Sequence, residues 1–114
     1  MTHKRQIFID AYIECALWAE DDDSDTWTQA VLSDDARATL RNDASTFYDT
    51  HEADVLAYYE GVAIAGHDLW LTRRGHGAGF WEHSDDVSSR LNDAAKALGD
   101  CELYVGDDGA IHAA

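Results

Sequence analysis

The sequence predicts an α+β fold: helices packed on one face of a small antiparallel sheet, in the order α-α-β-β-α-β-β. Three observations carry that expectation. All eight glycines lie at or after Gly61, and there is no proline. Before Gly61, apolar residues recur at helical spacing. After it, short stretches alternate apolar and polar residues as strands do, with one helical stretch between them. At 114 residues the chain is expected to form a single domain, 1–114. A chain of this size buries roughly 60–70% of its unfolded surface, enough for one real core.

The first helix is expected over 6–19, QIFIDAYIECALWA. Ile9, Ile13, Ala16 and Leu17 form its apolar stripe, flanked by Phe8 and Tyr12, with Asp10, Glu14 and Glu20 outside. EDDDSDT (20–26) is too charged to continue a helix and reads as a loop. WTQAVLS follows, and Trp27, Val31 and Leu32 are expected to pack that loop onto the core. Ser33 is a good N-cap, with Asp34 and Asp35 in the first turn where the helix dipole favours acids. The second helix then runs over 34–62, with Ala36, Leu40, Ala44, Phe47, His51, Val55, Tyr58 and Val62 along one stripe.

Next, HDLWLT (67–72) alternates His67, Leu69, Leu71 against Asp68, Trp70, Thr72, which is strand periodicity. RRGHG reads as a turn and AGFWEH (78–83) as the returning strand, with Gly79 allowing a bulge or a close backbone approach. Trp70 and Trp81 are then available to pack against helices or a partner. Ser84 is expected to cap a third helix over 84–98, with Asp85 and Asp86 in its first turn. Its core stripe is Val87, Leu91, Ala94, Ala95 and Leu98, and Gly99 stops it. CELYV, the tight turn GDDG and AIHA complete the expected sheet.

Charge is the dominant compositional feature. The net charge is −15, from 23 acids against eight bases. Between Asp10 and Asp68 there are 15 acids and only Arg37 and Arg41 as bases, which gives −13; the other eight acids and six bases give −2. This excludes nucleic acid and anionic membranes as direct partners and favours a basic protein surface. No apolar run approaches the roughly 18 residues of a membrane span. The N-terminus lacks the apolar core of a signal peptide, so the expected location is the cytoplasm. Solubility or halophilic adaptation is the plain alternative for the charge, although uniform adaptation does not predict the skew. The four Trp, five Tyr and three Phe argue for a folded chain rather than a disordered acidic one.

Sharp chemical motifs are scarce. Cys15 and Cys101 have no metal-ligand or redox spacing and read as two reduced, partly buried thiols. His67, His76 and His83, with Asp68, could form a metal or acid–base site, but they lack the His-x-x-x-His or Glu-x-x-His pattern. GHGAG lacks the Lys-Ser/Thr of a phosphate loop. EDDDSD lacks the ligand spacing, glycine and final glutamate of an EF-hand. No catalytic residue, cofactor or metal is assigned. Arg73 and Arg74 are expected to pair with acids of the helices or to sit at the exposed turn.

Three stretches carry a resemblance. HDLWLTRRGHGAGFW (67–81), YVGDDG (104–109) and YIECALW (12–18) resemble a family of small acidic proteins of tailed bacteriophages, whose core reads HDFWLTRNGHGAGFWDR. Together the resembling stretches cover 28 of the 114 residues, about a quarter of the chain, which departs from that core at Leu69, Arg74, Glu82 and His83. The resemblance implies a phage or prophage accessory protein and brings no catalytic residues with it. Small acidic phage proteins are often antagonists of host defence, anti-CRISPR proteins and DNA mimics among them, which is an analogy of class. On this basis the leading expectation is a non-enzymatic inhibitor in the host cytoplasm that presents carboxylates to the basic DNA-binding groove of a CRISPR or other defence complex. The contact pool is Asp21, Asp22, Asp23, Asp25, Asp34, Asp35, Asp43, Asp49, Glu52 and Asp54. The alternatives are a small metal-binding enzyme on His67, Asp68, His76 and His83, or a phage housekeeping or structural protein.

Overall fold

Helix α1, His3–Ala19, is apolar on more than one side, because Phe8, Ile9, Ala11, Tyr12, Ile13, Cys15 and Ala16 are all buried. A helix of that kind must be covered from two directions, and α1 packs against both α3 (Asp34–Ala57) and α4 (Val62–Arg74). The computed structural model describes residues 3–75 and 77–114, apart from the side chain of Thr28. The full order is α1, α2 (Asp25–Gln29), β1 (Val31–Leu32), α3, α4, a 3₁₀ turn at Phe80–Glu82, α5 (Asp86–Leu98), β2 (Leu103–Val105) and β3 (Ala110–Ala113).

The fold is α+β and mostly helical, with a three-stranded mixed sheet in the order β1-β3-β2. β2 and β3 pair antiparallel across the expected GDDG turn, where Gly106 N donates to the Ala110 carbonyl at 2.9 Å. β1 pairs with β3 in parallel, Val31 opposite Ala110 and Leu32 opposite Ile111, so the sheet is mixed rather than antiparallel. Strands of two to four residues make a sheet too small to cover four helices. Among the helices, α3 makes the main contact with it, and the others pack chiefly on one another.

The hairpin expected at 67–83 is a correction. Residues 67–74 complete helix α4, and AGFWEH forms the 3₁₀ turn, so the order α-α-β-β-α-β-β does not hold. The expected second helix over 34–62 is likewise two helices. It stops at Ala57, the chain turns through 58–61, and Gly61 (φ 99°) starts α4. His51 marks a kink inside α3, with φ −122° and ψ 28°. The caps follow local chemistry. The Ser33 hydroxyl accepts from Ala36 N at 3.0 Å. α5 starts from Asp85 rather than Ser84, because the Asp85 carboxylate accepts from both Ser88 N and Ser88 Oγ.

One close approach sets how α1 and α4 cross. At Gly66 a Cβ would lie 2.5 Å from the Phe8 carbonyl oxygen, so the absent side chain lets α4 cross α1 closely. The core between the helices is aromatic. Phe47 stacks between Phe8 and Phe80, with ring centroids 6.1 and 6.5 Å away, and Trp70 meets Tyr12 edge-on at 5.6 Å. Such pairs contribute roughly 0.5–1.5 kcal/mol beyond the area they bury.

Candidate functional site

The acidic segment between α1 and α3 is fastened at several points. Asp21 Oδ1 accepts from Asp23 N at 2.8 Å and Asp22 Oδ1 from Ser24 N at 3.0 Å. The Ser24 hydroxyl caps α2 through Trp27 N. Trp27 is buried, whereas Val31 is 71% exposed, so of the three residues expected to anchor this loop Val31 does not. β1 then docks on β3, and Ser33 N donates to the Ile111 carbonyl at 2.9 Å. Hydrogen bonds from Ser24 hold the Asp22 carboxyl below the ordinary carboxylate range.

The ten acids of the expected contact pool divide into two groups. Asp21, Asp22, Asp23, Asp25, Asp34, Asp35 and Glu52 are exposed. Among the described residues, no base lies within ion-pair distance of them. Asp43, Asp49 and Asp54 are engaged inside the chain. Each meets an arginine from a different helix: Arg73 of α4 at 2.9 Å, Arg5 of α1 at 2.9 Å, and Arg90 of α5 at 2.8 Å. Arg5 and Arg90 each donate to both oxygens of their carboxylate. These arginines draw the Asp49 and Asp54 carboxyls below their ordinary range. The three acids of α3 therefore tie the bundle together, and half of the chain's six arginines do the same.

The remaining arginine of the latter half, Arg74, is also paired within the chain. Arg73 is buried, and Arg74 pairs with Asp100 and with Glu20, which also accepts from Trp70 Nε1 at 3.0 Å. Trp70 is thus a core residue, while Trp81 is 52% exposed.

Among the described residues the histidine group assembles only in part: Asp68 and His83 lie on either side of Tyr58, which donates to Asp68 and meets the His83 ring edge-on at 5.9 Å. His67 lies within α4, its Nε2 3.8 Å from Glu14 Oε1. His83 follows the 3₁₀ turn and joins Tyr59 Oη at 2.8 Å and Glu60 Oε2 at 3.3 Å. His76 lies outside the described residues. Among the described residues no group of three His, Cys, Asp or Glu is placed to hold a metal ion. Cys15 and Cys101 are free and buried, and burial pushes the Cys15 thiol up to about 12, far from a reactive thiolate at neutral pH.

Asp68 is a buried acid that accepts from Tyr58 Oη at 2.5 Å. Burial raises its carboxyl above the ordinary value, with the Tyr58 bond opposing, Glu82 and Glu60 adding to the rise, and His83 reducing it. An acid shifted this way favours the fold most while protonated, below the ordinary value near 3.9, and loses that contribution as pH rises through its raised value. Asp68→Asn removes the charge and keeps an acceptor for Tyr58. The variant is expected to melt above the wild type at pH 7, with the gap closing below about pH 4. Thermal melts at both pH values check this; a gap that does not change with pH contradicts it.

Sequence reasoning missed Trp18. It is 75% exposed at the C-terminal end of α1. The signal was present: Asp10, Glu14 and Trp18 are spaced four apart, on the outer face away from the Ile9–Ile13 stripe.

Comparison with family models, with curated proteins and with solved structures found no match.

The functional reading therefore rests on the chain's own surface. That surface offers exposed carboxylates, two of them held by backbone N–H groups, and an exposed indole beside them. Among the described residues no helix is long and apolar enough to cross a membrane.

Proposed function

We propose that this chain is an inhibitor that binds a basic nucleic-acid-binding surface of a host defence complex, a CRISPR surveillance complex in the leading case, and blocks its access to DNA. It acts in the host cytoplasm and carries no catalytic site. The observation that supports this reading most is the set of seven exposed acids with no basic partner among the described residues, six of them between Asp21 and Asp35. A duplex presents one phosphate charge per about 1.7 Å of axis, and grooves that bind it are lined with lysine and arginine. Fixed carboxylates suit such a groove. Two of these, Asp21 and Asp22, are already oriented by the backbone N–H groups of Asp23 and Ser24, so less freedom is lost on binding. The resemblance of 12–18, 67–81 and 104–109 to small acidic phage proteins favours a defence complex as the target.

The contact pool narrows on this reading to Asp21, Asp22, Asp23, Asp25, Asp34, Asp35 and Glu52, because Asp43, Asp49 and Asp54 hold helices together. The test replaces Asp21, Asp22, Asp23 and Asp25 with asparagine, which retains the turn-forming acceptors. At low salt the wild type is expected to pull down a basic nucleic-acid-binding complex, and the fourfold variant to bind it on the order of 10-fold more weakly. In plaque assays the variant is expected to lose fitness only on hosts with active CRISPR or another defence. Equal fitness of both on every host, or no such complex recovered at low salt, sinks the proposal.

A further inference from the structure

Trp18 is the most exposed of the large apolar residues among those described. Its indole is 75% exposed, more than any other aromatic among the described residues. It forms the shared wall of three surface grooves. The groove toward α4, about 610 Å³, is lined beside Trp18 by Leu71, Ala78 and the carboxylates of Asp21 and Asp23, with no base among its described lining residues. On the other side a groove of about 400 Å³ holds Glu14, Cys15 and His67. The third, toward β1, adds Arg37 beside Glu14 and Asp21. The apolar face is therefore rimmed mainly by acids.

An exposed indole face attracts cations through its ring quadrupole, and tryptophan is the strongest of the aromatic platforms. Arginine suits it better than lysine, because the planar guanidinium stacks on the ring while its fork donates to a carboxylate. Glu14 is one helical turn from Trp18, with its side chain 79% exposed, and Asp21 and Asp23 flank the opposite side. Other occupants fit poorly. A second copy of a chain of charge −15 brings its own acids to the same rim, and nucleic-acid bases or anionic lipids arrive with phosphates that the rim repels.

We infer that Trp18 is the anchor of the partner contact, and that its indole, with Glu14, Asp21 and Asp23, receives an arginine side chain of a basic protein segment. This rests on the acidic-surface reading above and names the residue that gives it specificity beyond net charge. Buried aromatic anchors of this kind carry a large share of the binding energy at interfaces.

The test uses two probes, nona-arginine and nona-lysine peptides, titrated by fluorescence anisotropy at about 50 mM salt, where surface charges are weakly screened. Wild-type protein is expected to bind nona-arginine more tightly than nona-lysine. Trp18→Ala is expected to weaken nona-arginine about 10-fold and to change nona-lysine little. Asp21→Asn with Asp23→Asn should weaken both peptides alike, and Trp81→Ala should weaken neither. Unchanged thermal melts establish that the exposed Trp18 position tolerates alanine. If Trp18→Ala binds both peptides like the wild type while the acid variant loses affinity, the anchor is overturned and the acidic surface stands. If wild-type protein binds neither peptide, both the anchor and the acidic-surface reading fail.

Discussion

Replacing Arg73 with methionine is expected to lower the melting temperature by roughly 10–20 °C. Arg73 is buried in α4, and its guanidinium has four partners. Nη1 donates to Asp43 Oδ2 at 2.9 Å and to Tyr12 Oη at 2.7 Å, Nε to the Gly99 carbonyl at 2.7 Å, and Nη2 to the Asp100 carbonyl at 3.5 Å. These partners belong to α1, α3 and the turn that follows α5, so one side chain joins three parts of the fold. Methionine matches much of its volume but leaves a half-buried carboxylate and a buried hydroxyl without a donor. Breaking such a pair from one side costs about 3–5 kcal/mol, a large fraction of the roughly 5–15 kcal/mol that keeps a domain folded. The double variant Arg73→Met with Asp43→Leu is expected to recover part of the loss, since removing both charges costs less than stranding one. A melting temperature for Arg73→Met within about 3 °C of the wild type excludes this role for the residue.

Gly79→Ala is expected to be comparably severe, at about 3–5 kcal/mol in urea unfolding. Gly79 holds φ 147° and ψ −167°, a region that L side chains rarely adopt. A Cβ there would overlap Thr72 Oγ1 and lie 3.3 Å from Thr72 N. That hydroxyl accepts from Phe80 N at 3.1 Å, a buried bond that seats Phe80 against Phe47 and Tyr58. The strain accounts for about 1–3 kcal/mol and the displaced hydrogen bond for a similar amount. Gly77→Ala is the internal comparison, because a Cβ at Gly77 meets nothing within 4 Å. It is expected to stay within about 0.5 kcal/mol of the wild type. Equal urea midpoints for Gly79→Ala and the wild type would falsify the close-approach account.

The two variants also separate the legible from the illegible in this chain. Gly79 was readable: a glycine between apolar residues signalled a close backbone approach, and the approach is real although its setting is a 3₁₀ turn rather than a strand. Arg73 was only half readable. Pairing with an acid of the helices was expected, but its burial was not. The same limit explains why α4 escaped detection. Its buried residues are Ala65, Gly66, Asp68, Leu69, Trp70, Thr72 and Arg73, and three of those are polar. Their polarity hid the helical stripe and left HDLWLT looking like an alternating strand. A helix packed against both α1 and α5 buries polar side chains that are each satisfied by a distant partner, and local patterning does not record that.

The sequence by itself determined what short-range chemistry controls. The Ser33 cap, the Gly99 stop, the GDDG turn and the first and last long helices follow from residues within four or five positions of one another. The uneven charge is fixed by composition alone, with −13 carried between Asp10 and Asp68. Tertiary structure decided which of those charges face solvent unpaired. Asp43 meets Arg73 across 30 residues, Asp54 meets Arg90 across 36, and Arg5 meets Asp49 across 44. It also left Trp18 exposed on an acidic rim while Trp70 was buried. Ion pairing and burial depend on which helices meet, and helix contacts between distant segments are set by packing of the whole core rather than by any local motif.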